Sequence, residues 1–184
     1  WKLSGRVDIT DRFALRGTAS TGFRAPTPGQ INTLNTTTSA DASGNLIPSG
    51  TYPVNSIEAQ VLGSSPLDPE ESQSFTIGAV WQAADNVSVT LDYYDISIED
   101  RLALLGPNTV TQAQADEMEA QGVANAQLLV GSLASYFANA FDSDVNGIDI
   151  AVTADWDVGP GTLLADLRHT WNEQEISNVT PNTI

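Results

Sequence analysis

Cysteine is absent from the 184-residue chain. That removes disulfide frameworks, thiolate zinc sites, iron–sulfur clusters and cysteine nucleophiles, and leaves the redox compartment open. Positive charge is scarce: 7 Lys and Arg stand against 23 Asp and Glu, a net charge of −16. Nucleic acid and anionic lipid headgroups are bound through clustered Lys and Arg, so neither is expected as a partner. No run approaches the roughly 18 consecutive apolar residues of a membrane-spanning helix. Yet 41% of the residues are apolar, too many for a chain that stays disordered. The chain opens at Trp1, without initiator Met or signal peptide and inside strand-like sequence, so a segment of something longer is expected.

What is present is alternation. Six segments place every second residue on an apolar face. Residues 1–10 set Trp1, Leu3, Val7 and Ile9 against Lys2, Arg6 and Asp8, and after a turn at Asp11-Arg12 residues 13–24 set Phe13, Leu15 and Phe23 against Arg16 and Arg24. Residues 73–82 carry Phe75, Ile77, Ala79 and Trp81, and beyond Ala84-Asp85-Asn86 residues 87–98 carry Val87, Val89, Leu91 and Tyr93 opposite Asp92 and Tyr94. Past Tyr94 the parity conflicts, since Ile96 and Ile98 follow the polar row while Asp95 follows the apolar one. A bulge or an exit from the apolar layer is expected there. Residues 147–157 place Ile148, Ile150, Val152 and Trp156 against Asp149, Asp155 and Asp157. After Gly159-Pro160-Gly161, residues 162–172 place Leu163, Leu167, His169 and Trp171 against Asp166 and Arg168.

Between these pairs lie two long connections, about 25–72 and about 99–145. The first is rich in Thr, Ser, Asn, Gly and Pro and reads as loop. The second carries helical signals: Thr111 and Gln114 at capping-box spacing, closure at Gly122, and a second short helix over about 126–138. Its Asp116, Glu117, Met118, Glu119, Leu128, Leu129, Leu133 and Phe137 either pack on a rim or form a lid over ligand.

Soluble sandwiches alternate too, and a secreted soluble β-sandwich binding module is the alternative to a membrane barrel. Three features favour the barrel. The apolar rows contain no Asp, Glu, Lys or Arg. The strands run about ten residues or more, the length that crosses a bilayer at a tilt. Tight turns alternate strictly with long excursions, as in outer-membrane barrels. Phe13 and Phe23 then lie roughly 23 Å apart along the membrane normal, close to the ~25 Å between two aromatic girdles. Trp81, Trp156 and Trp171 complete those girdles, where indole rings meet both lipid and water. Arg16, Arg24, Asp92, Asp149, Asp155, Asp166 and Arg168 face a polar lumen. The expected fold is all-β: an antiparallel transmembrane barrel segment of about six long strands, with tight turns on one side and long, partly helical loops on the other.

The run Leu15-Arg-Gly-Thr-Ala-Ser-Thr-Gly-Phe-Arg-Ala-Pro26 resembles the barrel signature of TonB-dependent outer-membrane receptors, in which a strand ends in Ser-x-Gly-Phe-Arg-Ala-Pro. Pro69-Glu70-Glu71-Ser72 with Ile77-Gly78, Leu91-Asp92-Tyr93-Tyr94-Asp95-Ile96 with Asp100-Arg101, and Asn139-Ala140-Phe141-Asp142 with Gly147-Ile148-Asp149 resemble the strands that follow. The resemblance implies a 22-stranded barrel in the bacterial outer membrane, occluded by a plug. It implies uptake of a scarce small-molecule ligand such as an iron chelate, cobalamin or a glycan, driven through TonB. Residues 1–184 then form a partial barrel domain lacking its plug and terminal strands. The partners implied are outer-membrane lipid, the missing plug and strands, the TonB complex and the ligand. Phe23, Arg24, Ala25, Pro26, Pro69, Glu70 and Ser72 are motif residues with structural roles, Pro26 ending a ladder because it has no N–H.

Other motifs read blandly. Asp142-Ser143-Asp144-Val145-Asn146-Gly147 begins like a calcium loop, but its twelfth position is Thr153 instead of Glu. Glu70-Glu71 and Glu99-Asp100 read as solvated charge instead of an acid–base pair. His169 is the lone histidine, without the partners of a triad or metal site. The sequons Asn35-Thr36-Thr37, Asn86-Val87-Ser88 and Asn178-Val179-Thr180 have no use in a bacterial barrel. No catalytic residue, metal or cofactor is expected.

Overall fold

Every alternating segment forms a strand. A computed structural model of the protein describes residues 1–40 and 44–181. In chain order the strands are β1 (Lys2–Thr10), β2 (Phe13–Arg24), β3 (Asn35–Ala40), β4 (Leu46–Thr51), β5 (Glu70–Ala84), β6 (Val87–Thr109), β7 (Leu133–Val158) and β8 (Gly161–Ser177). Helices α1 (Pro28–Asn32), α2 (Ile57–Val61) and α3 (Gln112–Ala120) and a 3-10 turn at Ala126–Leu129 lie between them.

The six long strands expected are β1, β2, β5, β6, β7 and β8; among the described residues two short strands, β3 and β4, add to them, and both long connections hold more structure than expected. The first holds α1, the β3–β4 hairpin and α2; only its residues 41–43 lie outside the described residues. The hairpin escapes hydropathy because Asn35–Ala40 is nearly all polar, yet its β-branched threonines pair in register, from Asn35↔Thr51 to Ala40↔Leu46. In the second connection β6 continues to Thr109 and β7 begins at Leu133. The helix expected over 126–138 shrinks to one 3-10 turn, because Leu133–Ser135 pair in parallel with Ser49–Thr51 and are held extended. The bulge expected beyond Tyr94 is also absent: β5 and β6 stay in register from Glu71↔Glu99 through Phe75↔Asp95 to Gln82↔Ser88. The irregularity comes later, at Asp100, whose φ of 56° is left-handed.

The chain divides into two units. The first comprises Trp1–Phe23, Glu71–Glu99 and Ser143–Ile176. Its strands follow the order β1-β2-β5-β6-β7, with β8 on β7. The pairs Val7↔Leu15, Leu3↔Ala19, Ile77↔Tyr93 and Ala79↔Leu91 keep the apolar rows on one face. That face has no second layer: Leu3 is 71% exposed and Leu167 67%. A soluble sandwich would bury these side chains between two sheets.

The second unit comprises Arg24–Glu70, Asp100–Asp142 and the segment from Ser177. It has a buried interior, with Val110, Ala115, Met118, Ala126 and Ala134 in one cluster and Ala59, Leu105, Tyr136 and Ala140 in another. Helix α3 starts at the expected capping box: the Thr111 side chain accepts from the Gln114 N–H while the Gln114 side chain reaches back to the Thr111 N–H. Gly122, φ 104°, follows its C-cap. Thr111→Ala is expected to cost about 1 kcal/mol locally, read as faster amide exchange across Gln112–Ala120.

Candidate functional site

On the polar face of the first unit the antiparallel ladders bring Arg16, Asp92 and Asp149 together with Lys2, Arg6, Tyr94 and Ile96 around a depression of about 900 Å³. The Arg16 guanidinium grips the Asp92 carboxylate with two parallel bonds, Nε to Oδ1 at 2.8 Å and Nη2 to Oδ2 at 2.5 Å. These residues stand on β2 and β6, with β5 between them. The bridge is possible because the β5 residue opposite Asp92 is Gly78. A Cβ at that position would overlap the Asp92 carboxylate and come within 2.9 Å of the Leu91 carbonyl oxygen. A second glycine serves the same face: a Cβ on Gly147 would meet the Tyr94 hydroxyl at 2.6 Å. Asp149 Oδ1 is buried and makes no hydrogen bond among the described residues.

The other lumen candidates are spread out. Arg168 Nε donates to Asp166 Oδ1 at 2.8 Å along the same strand, and Asp155 holds Asn86 through backbone contacts, with its side chain exposed. Arg24 belongs to the second unit, where its guanidinium meets Glu70 at 2.5 Å. Glu70 is 8% exposed and also accepts the Leu102 N–H at 2.8 Å, while Glu71 is exposed, so the two do not form an acid–base pair. Pro26 precedes Thr27, which caps α1 through a capping box of its own with Gln30. Thr27-Pro28 and Gln30 carried that signal in the sequence. Ala25 is exposed, Pro69 immediately precedes β5, and the Ser72 hydroxyl lies 2.8 Å from where a Cβ of Gly22 would stand. Trp81, Trp156, Trp171 and Phe23 are about half exposed or more, and Phe13 borders an apolar recess with Ala79, Trp81, Val89 and Leu91.

Asp142 lies within β7, where it accepts the Asp100 N–H at 2.8 Å and the Asn178 amide at 2.6 Å. Both carboxylate oxygens thus hold other parts of the chain, and no group of metal-ligating side chains occurs among the described residues. Leu133 and Phe137 stand on β7 instead of a helix; Met118 is fully buried and Leu128 is exposed. Burial pushes the Tyr52 hydroxyl above its usual value of 10.0, with the nearby Glu58 charge adding to it. The unfolded chain therefore ionises first as pH rises, so stability is unaffected below about 10 and falls above it. Urea midpoints at pH 9 and pH 11 read this loss, and Tyr52→Phe is expected to shrink it.

A sheet with one uncharged apolar face, one polar face and tight turns alternating with long excursions is the wall of an outer-membrane barrel. The chain belongs to a known family of such proteins: residues 1–183 match the model described as TonB dependent receptor-like, beta-barrel. Members are proteins of the bacterial outer membrane, and that is the location of this chain. Among curated proteins none matches. Of solved structures, the ferric enterobactin receptor PfeA of Pseudomonas aeruginosa is similar over 92% of this chain and 21% of its own, at 16% identity and a TM-score of 0.57. The RagAB peptide importer is similar over 95% and 18%, at 15% identity and a TM-score of 0.58. The siderophore receptor PirA of Pseudomonas aeruginosa is similar over 95% and 34%, at 13% identity and a TM-score of 0.51. At these identities the likeness is one of fold, and the chain spans about a fifth to a third of the length of these relatives. The relatives are receptors and importers, not enzymes.

Proposed function

We propose that this chain supplies wall and outward-facing loops to an active transporter that takes up a scarce ligand, such as a siderophore, cobalamin or a glycan, with energy relayed from TonB through a plug. The observation that carries the reading is the family match over nearly the whole chain, residues 1–183. The polar depression around Arg16, Asp92 and Asp149 is its lumen surface, and residues 27–72 and 102–144 include its ligand-facing loops. In this reading Asp155, Asp166 and Arg168 line the same lumen, and the aromatic residues sit at the two headgroup levels.

Uptake by whole cells tests it. Cells carrying the intact gene, a deletion, or the intact gene without TonB are offered labelled ferric siderophores, cyanocobalamin and oligosaccharides. Accumulation of one class that needs both the gene and TonB supports the proposal. Equal accumulation by all three strains for every class rejects it.

A further inference from the structure

The interiors of the two long excursions are joined. Tyr52, Val61 and Leu62 from the first pack against the cluster that Val110, Ala115, Met118, Ala126 and Ala134 form in the second. Ala59 of the first likewise shares a cluster with Leu105 and Tyr136 of the second. The backbones join as well: β4 runs parallel to the start of β7, the Tyr52 N–H donates to the Ser135 carbonyl at 2.9 Å, and the Tyr136 hydroxyl donates to the Leu62 carbonyl at 3.0 Å.

The ends of both segments are tied by side chains. Glu70 closes the first segment by accepting from Arg24, and it reaches the second by accepting the Leu102 N–H. Asn139 does more with one amide. Its Nδ2 donates to the Asp68 carbonyl at 2.9 Å and the Asp100 carbonyl at 2.7 Å, and its Oδ1 accepts the Asp68 N–H at 2.9 Å. One donor and the acceptor thus join the second excursion to the first, and the other donor ties β7 to Asp100 within the second.

Neither excursion is equipped to stand alone. Helices of five and nine residues are below the length that persists in water, and an isolated two-stranded hairpin such as β3–β4 is marginal. We propose that the two excursions form one cooperative folding unit that loses its structure all at once, with Asn139 as the residue coupling its halves. Contact of any ligand with one excursion then stabilises the other, since the unfolding of either exposes the packing they share.

Native-state hydrogen exchange on the protein in outer-membrane vesicles tests this without knowledge of the ligand. In the unaltered protein, amides of α2 and α3 are expected to converge on one opening reaction as urea rises. In Asn139→Ala, exchange is expected to rise about a hundredfold in both excursions, the size expected for losing its three hydrogen bonds. Separate urea dependences for α2 and α3, or acceleration confined to one excursion, would overturn the proposal. If the variant fails to assemble, the unaltered protein decides alone.

Discussion

Leu91→Arg is expected to destabilise the protein in a bilayer by about 2–4 kcal/mol, whereas Thr90→Arg, one residue away, changes stability by only about 0.5 kcal/mol. Leu91 lies opposite Ala79 on the apolar face, and Thr90 lies opposite Val80 on the other. In a soluble protein, an exposed leucine replaced by arginine would be nearly neutral, and Leu91 is 47% exposed. The difference between neighbours therefore measures the solvent each face meets. Urea titrations in lipid vesicles provide the readout. Equal effects at the two positions would mean that alternation does not report lipid contact.

Gly78→Ala is expected to be the more damaging of two glycine replacements, at about 1–3 kcal/mol. The added methyl group meets the Asp92 side chain and the Leu91 carbonyl oxygen. The side chain can give way only by abandoning Arg16, which leaves a carboxylate that is 16% exposed without its cation. The backbone oxygen cannot give way at all without distorting the β5–β6 ladder. Gly5→Ala on β1 provides the control, because nothing lies within 4 Å of the added atom and a strand residue better than glycine is gained. Urea midpoints of the two variants should therefore move in opposite directions. A neutral Gly78→Ala would show that the bridge reforms elsewhere.

Much of the wall was legible because a bilayer imposes one simple rule on the sequence. Every second residue from Leu3 to Ile9 or from Ile148 to Trp156 must tolerate hydrocarbon, so strand, face and turn can all be read from hydropathy. That rule lapses where residues meet protein or water instead of lipid. Ser135 and Tyr136 are both buried in the second unit although they adjoin on one strand, so no alternation marks them. Strand β3 is polar on both faces up to Ala40 and leaves no hydropathic trace. The capping boxes at Thr111 and Thr27 are both written in local chemistry, within four consecutive residues each. The role of Asn139 could not be read, since its partners are backbone groups 71 and 39 residues away.

The lane over Gly78 also carries information of a kind that the lipid face cannot. Alternation distinguishes odd from even but not one odd position from the next, so sliding β5 by two residues would leave Phe75, Ile77 and Trp81 on the lipid face. Such a slip would bring Thr76 or Val80 beneath the bridge, and either side chain would wedge Arg16 and Asp92 apart. A missing side chain on the wet side thus acts as an index mark: hydrocarbon sets the parity of the strands, and one glycine counts them into place.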